Sequence, residues 1–318
     1  MPLVSIICPL HNKGAFVAET IQSVMVQTMP DWELIIVENG STDNGPSIIK
    51  GFLDARIRIL ESAKTGPGAA RNLGLRNATG EWVLFLDADD LIVPEFLQDR
   101  MVVAGKNPEA DLIAGGWEEF RAGQVGTVLR RPAGEGLSPS PLEDSAVAAA
   151  PWAVHAALTR RSSMQQDPWP EELDGLPSED TAFWFELILG KKIVFTSQSG
   201  ALYRIQAGAT RNRPNDILRW IEAVAAVTEK NVSVIEKRGG SPSKKQCEAI
   251  MRGFENCLFM TFTNRNSDGY VLALRFAKYW LSRCDYSSLA IAVRKILGIR
   301  NFLLIKSLIK QAHPSVST

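Results

Sequence analysis

No run of apolar residues in this 318-residue chain reaches the ~18 that a membrane-spanning helix needs, because a charge or a proline always interrupts. The start, Met1-Pro2-Leu3-Val4-Ser5, lacks the basic region and small-residue cleavage site of a secretory leader and reads as the entry to a strand. The four cysteines, at 8, 247, 257 and 284, make no CxxC pair, so neither a zinc site nor a disulfide framework is suggested. Buried, reduced thiols suit the cytoplasm. Glycine (24) and proline (17) stay at ordinary levels, which excludes collagen-like and low-complexity chains. Net charge is also missing: 35 basic residues balance 35 acidic ones.

That balance hides an asymmetry. Residues 216–318 hold sixteen Lys and Arg against eight Asp and Glu, a net of +8, so residues 1–215 carry a net of −8. A whole-protein nucleic-acid binder is not expected from such a chain, whereas its tail could meet an anionic surface. With 45% hydrophobic and 22% charged residues, disorder is excluded as the dominant state, and the length suggests about two folding units.

The first ninety residues alternate two patterns. Short apolar runs at Val4–Cys8, Glu33–Val37, Arg56–Leu60 and Trp82–Leu86 read as strands. Between them, Val17, Ile21, Val24 and Thr28 share one helical face, Ser41-Thr42-Asp43 offers caps for a helix to about Leu53, and Ala69–Asn77 reads as a helix after Gly66-Pro67-Gly68. This alternation predicts an α/β protein with a mostly parallel sheet covered on both faces. Residues 106–215 are less regular. Strands are expected at Leu112–Ala114, Val154–Leu158 and Ile193–Phe195, a helix at Glu179–Leu189, and an excursion loop over 121–145. From 216 to Lys310 the pattern is helical.

Open α/β sheets bind ligands at the carboxyl ends of their strands. Here those ends carry Pro9-Leu10-His11-Asn12, Glu38-Asn39 and Asp87-Ala88-Asp89-Asp90. Clustered carboxylates repel one another unless a cation lies between them, and hard oxygens suit Mg²⁺ or Mn²⁺ arriving with substrate phosphates. The other reading is a solvated turn. Gly66–Asn72 places glycines and Arg71 at a helix start, a site for an anion or simply a helix end with a salt bridge. Glu179-Asp180 opens a helix, either as caps or as a catalytic base held rigidly at the crevice.

Taken in order, Pro9–Asn12, Glu38–Asp43, Gly68–Asn72, Asp87–Asp90 and Glu179-Asp180 resemble the motifs of family 2 glycosyltransferases over about residues 3–210. The resemblance implies the GT-A fold and transfer of a single sugar from a nucleotide diphospho-sugar, with a UDP-sugar favoured, to a glycan or lipid-linked acceptor with inversion. It implies bacterial polysaccharide or glycan assembly as the setting. It divides the chain into a nucleotide-sugar half (1–105), an acceptor half (106–215) and a helical C-terminal region (216–318). By resemblance, Pro9 and His11 lie against the nucleoside, with Glu38 and Asn39 at the base. The family commonly has Asp at the second of these, but an Asn amide still accepts from a uracil N3–H. Arg71 sits by the base or the phosphates, Asp87 and Ala88 at the ribose, Asp89 on the metal (Mn²⁺ or Mg²⁺), and Asp180 takes the acceptor proton. Glu179 flanks that base, and Tyr203-Arg204 reaches the diphosphate from a loop, with Gln206 where the family often has His. One base and one metal site meet the needs of an inverting transfer. A sugar nucleotidyltransferase would need a basic Gly-rich loop where Pro9–Asn12 stands. A catalytically degenerate scaffold would not need Asp89 and Asp180.

Lesser features are weighed against packing. Trp152 and Trp169 are candidates to stack on an acceptor sugar, Trp169 the better one, though core packing is the preferred reading. His155, in an apolar strand, is expected to be structural. Asp216-Ile217-Leu218-Arg219-Trp220 is one residue from the Gln-x-x-Arg-Trp signature of processive relatives, but no membrane helices accompany it. The segment 271–310, with eight basic residues and one acid, suits either a packed helical cap, which is favoured, or a peripheral contact with an anionic membrane.

Overall fold

The computed structural model describes residues 2–121, 127–132, 142–206 and 216–284. In chain order the elements are β1 (Val4–Leu10), α1 (Val17–Met25), β2 (Trp32–Glu38), α2 (Gly45–Ile49), β3 (Ile57–Glu61), α3 (Pro67–Asn77), β4 (Trp82–Phe85), β5 (Leu91–Ile92), α4 (Phe96–Lys106), β6 (Leu112–Phe120), β7 (Val128–Arg130), α5 (Glu143–Ala146), β8 (Ala157–Arg160), α6 (Glu179–Ile188), β9 (Ile193–Arg204), α7 (Ile217–Lys237), α8 (Lys244–Thr263) and α9 (Ser267–Arg283).

Among the described residues the strands form one sheet in the order β3-β2-β1-β4-β8-β6-β9-β5, with β7 added on β6. Strands β1 to β4 are parallel, Ile6 lying beside Leu34 on one flank and Leu84 on the other. The runs of buried aliphatics in β1, β2 and β4 are what a strand covered on both faces requires, whereas β3 at the sheet edge is partly exposed. Beyond β4 the sheet turns mixed. β8 is antiparallel to β4 and β6, and β6 runs parallel to β9.

β1 does not stop at Pro9, as the proline suggested, but continues to Leu10. The Ile7 carbonyl accepts from Leu86 N–H and the Leu10 carbonyl from Asn39 N–H. Odd residues therefore face β4 and even ones β2. Pro9 faces β4 just past the last β1–β4 pair, Ile7 with Phe85, where no ladder donor is needed.

Other expectations shift. α1 ends at Met25, and Thr28 lies exposed beyond it. α2 spans five residues and takes no side-chain cap; Asp43 instead accepts from the main-chain N–H of Gly14 and Gly45. Residues 154–156 form a 3-10 turn before β8. β9 runs for twelve residues, far past Phe195. Most of the expected 121–145 loop and the segment 289–310 lie outside the described residues. α7, α8 and α9 add Ile221, Phe254, Leu258, Ala277 and Trp280 to the same apolar core as the sheet, so 216–284 is a cap fused to the domain. No helix among the described residues is long and apolar enough to cross a membrane.

Candidate active site

The ends of β1, β2 and β4 open onto a cavity of about 580 Å³. Its walls include Pro9, His11, Lys13, Asn39, Arg71, Asp87, Ala88, Asp89, Asp174, Glu179, Tyr203 and Arg204. Most residues singled out in the sequence are thus brought together from positions up to about two hundred residues apart.

The loop after β4 is sorted by partner. Asp87 Oδ1 accepts from Arg71 at 2.6 Å. Asp90 is buried: its Oδ1 accepts from Arg204 N–H at 2.8 Å and its Oδ2 lies 3.1 Å from His155 Nδ1. Asp89 Oδ2 accepts from Lys13 Nζ at 2.6 Å and also from Gln206 Nε2. The carboxylates are therefore not bare repelling charges, because each has its own internal partner. Among the described residues no three His, Cys, Asp or Glu side chains cluster as a metal cage. Asp89 alone, 15% exposed on the cavity wall, fits a divalent cation that takes the rest of its shell from water and substrate phosphates.

Arg71 lies on α3, only 3% exposed, and spans the cavity floor. It donates to Asp87 and, at 3.2 Å, to Glu179 at the start of α6. Its guanidinium rests on the Trp169 ring, 4.2 Å from the centroid. Desolvation works against its charge, but Asp87, Glu179 and Asp180 together hold its pKa above the usual arginine value. One cation thus ties the strand-end carboxylates to the helix-start carboxylates.

The start of α3 carries an internal anion. Asp174 accepts from Gly68 N–H at 2.6 Å and Ala69 N–H at 2.9 Å, so this helix end is capped from within the chain. Gly66 has φ of +124°, and a Cβ there would run into the Asp174 carboxylate. Burial pushes the Asp174 pKa up, although those N–H groups pull it down.

At the base end, Asn39 Nδ2 donates to the Gly66 carbonyl at 2.7 Å, and its Oδ1 is buried without a partner. His11 Nδ1 is 2.9 Å from the Asn39 carbonyl oxygen. Asn12, at φ of +51°, turns away from the cavity and accepts from Thr42 N–H. Glu38 is a correction: it accepts from the N–H of Ser41 at 2.5 Å and of Gly40 at 3.2 Å, and does not line the cavity. Burial alone would raise its pKa, yet these bonds hold it below the ordinary carboxylate range.

For both tryptophans the preferred reading, core packing, is what the structure shows, and the loop expected at Tyr203-Arg204 is corrected. Trp169 is buried, with Arg71 over its ring and Phe183 stacked at 3.9 Å, so neither face is left for a sugar. Asn72 fixes its main chain by accepting from its N–H and donating to its carbonyl, both at 3.0 Å. Trp152 is buried as well, edge-on to Trp184. Tyr203 and Arg204 are not in a loop but end β9. Arg204 is 6% exposed and committed inside, with Nε donating to the Asp89 carbonyl at 2.7 Å and Nη2 to Glu19 at 2.8 Å. It lies over Phe16 and Phe120. Asp180, 0% exposed, is buried in the first turn of α6 and is not among the residues that line the cavity. Lys13 and Asp174 escaped notice because their partners are 76 and about 106 residues distant and no local pattern marks them.

A mixed sheet with parallel β1–β4, a strand-end carboxylate loop and a capping helical region is the GT-A architecture. The structure of S. aureus TarS 1–349 in complex with UDP-GlcNAc superposes with a TM-score of 0.71 over 98% of this chain and 92% of that one, at 16% identity. The mannosyltransferase PcManGT from Pyrobaculum calidifontis, in complex with GDP-Man and Mn²⁺, superposes at 0.53 with 18% identity over 99% of this chain and 88% of that one. Residues 5–145 match the model of glycosyl transferase family 2. Glycosyltransferase GlyG of Streptococcus pneumoniae is 26% identical over 243 residues, 73% of this chain and 80% of GlyG. An uncharacterized glycosyltransferase of Rickettsia felis is 39% identical over 107 residues, 33% of this chain, but the chain spans only 17% of that protein's length.

Proposed function

We propose that this protein transfers one sugar from a UDP-sugar to an acceptor hydroxyl with inversion, in glycan or polysaccharide assembly on the cytoplasmic side. The observation that carries the reading is the cavity with Asp87 and Asp89 on one wall, Glu179 on the other, and Arg71 bridging Asp87 to Glu179, with Asp180 next to Glu179 in the first turn of α6. The UDP-GlcNAc complex of TarS supports a uridine donor. The unpartnered Asn39 Oδ1 supports it too, since it offers an acceptor to an N3–H.

In this reading Pro9 and His11 flank the nucleoside and Asp87 and Ala88 the ribose. Asp89 would hold a divalent cation, which when bound neutralises charge on the diphosphate. Asp180 takes the proton from the acceptor hydroxyl as its oxygen bonds to the anomeric carbon. The bond to the diphosphate breaks on the opposite face, and its electron pair leaves with UDP. Arg71 holds Glu179, and with it the first turn of α6, in register with Asp87, so that base and leaving group keep their geometry. The acceptor is a glycan or lipid-linked hydroxyl, and binding to anionic vesicles tests whether the basic 271–310 segment brings the enzyme to it. Incubation with a panel of nucleotide sugars, Mn²⁺ and water or a simple acceptor, followed by NMR of the first-formed anomer, tests the reaction. UDP release with the inverted anomer is expected; a retained anomer, or UMP in place of UDP, would refute it.

A further inference from the structure

A carboxylate oxygen that binds a divalent cation also attracts an ammonium group, and the two repel each other. Asp89 Oδ2 already carries such a group, Lys13 Nζ at 2.6 Å, brought in by the turn that follows β1. Both residues line the cavity. The other cation of the carboxylate loop, Arg71, is locked in place at 3% exposure between Asp87 and Glu179. Lys13 is different: its side chain is 32% exposed, on a flexible four-carbon stem with cavity space beside it. Gln206 Nε2 shares the same oxygen but brings no charge.

We propose that Lys13 is a placeholder for the divalent cation. In the donor-free protein its ammonium holds Asp89; when a nucleotide diphosphate arrives with its cation, the ammonium leaves the carboxylate and pairs with the diphosphate oxygens. The proposal rests on the functional reading above. Its physical basis is charge count. A divalent ion and Lys13 cannot both sit on Oδ2, and the diphosphate is the anion that then lies within the same cavity. Two consequences follow. The chain's own cation weakens metal binding in the absence of donor. Metal and nucleotide strengthen each other reciprocally, by the same factor in either order.

The test is calorimetry and Mn²⁺ EPR on the full chain, with and without UDP, for wild type, Lys13→Met, Gln206→Ala and Asp89→Asn. Lys13→Met removes the charge and keeps the length. It is expected to bind Mn²⁺ alone about fivefold more tightly than wild type, the scale of a partly exposed ion pair. It is expected to bind UDP about tenfold more weakly, the scale of a lost charge-assisted hydrogen bond. Gln206→Ala should leave the donor-free Mn²⁺ affinity close to wild type. Mn²⁺ affinity in donor-free Lys13→Met equal to or below wild type overturns the proposal, as does an equal gain in Gln206→Ala. The reading of the site fails separately, and takes the proposal with it, if wild type shows no UDP-dependent Mn²⁺ binding or if Asp89→Asn leaves that binding intact. A melting curve for each variant confirms that it is folded.

Discussion

Strands β1 to β4 run parallel; β1, β2 and β4 are buried on both faces, and the segments just past their ends open onto the cavity. Beyond β4, strands β6, β8 and β9 run in mixed directions, are connected by 3-10 turns and short helices, and pack an aromatic layer of Trp152, Trp169, Phe183 and Trp184. The first half exposes functional groups at strand ends. The second buries its large residues and brings Asp174 and Gly175, the start of α6 and the end of β9 to the cavity. In the proposed reading the donor side is built from sheet geometry, and the acceptor side from packing that holds one helix terminus. Arg71, Asn72 and Asp174 are among the ties between them.

That division can be broken most sharply at the carboxylates. Asp89→Ala should abolish Mn²⁺-dependent UDP binding in calorimetry. Asp180→Asn should leave UDP binding intact while transfer falls ~10²- to 10⁴-fold, the usual worth of a general base. If Asp180→Asn weakens UDP as much as Asp89→Ala does, the two sides are not separate.

A smaller effect should come from His155, where the halves meet behind the cavity. Burial holds its imidazole near 4 against an ordinary 6.5, with the charge of Asp87 opposing. Below about 6.5 the unfolded chain takes up a proton that the native state refuses until about 4. Stability is therefore full above that window and falls as the pH drops through it, by up to about 3 kcal/mol. His155→Gln should flatten the dependence of the urea midpoint on pH between 6.5 and 4; an unchanged slope would show that other groups carry it.

The smallest effect concerns the tie at α3. Asp174→Ala removes the acceptor for two main-chain N–H groups and should cost about 1–2 kcal/mol in denaturant melts. Transfer should fall without loss of Mn²⁺ affinity, because the segment leading to α6 loses its hold on the donor half. An unchanged melt would mean that water replaces Asp174 at no cost.

How legible each half was follows from the same contrast. Continuous apolar runs betray interior parallel strands, so β1 to β4 were readable to within a residue or two, and the motifs at their ends border one cavity. β6 and β9 were cut short in the sequence reading. Gly115-Gly116 looks like a turn but is where the β6 register slips against β9, and Thr196–Ser199 is polar before Gly200 takes φ of +91°. Trp169 was expected in the core, but that Asn72 on a distant helix fixes it there could not be read from the sequence. Glu38 looked like a ligand residue, yet its carboxylate is spent on the turn two residues on. Such outcomes depend on contacts remote in sequence or on local hydrogen bonds that residue type alone does not reveal.

Pro9 has a consequence for turnover. On the flank that faces β4 it offers no N–H, so β1 and the loop at Asp87–Asp90 part like an unzipped seam, held apart by covalent structure rather than by whatever lies between them. In the proposed reaction, when product departs, Pro9 has no N–H with which to extend the β1–β4 ladder over the gap. The next donor meets a vestibule that is already open, and the enzyme need not melt any secondary structure to begin another cycle.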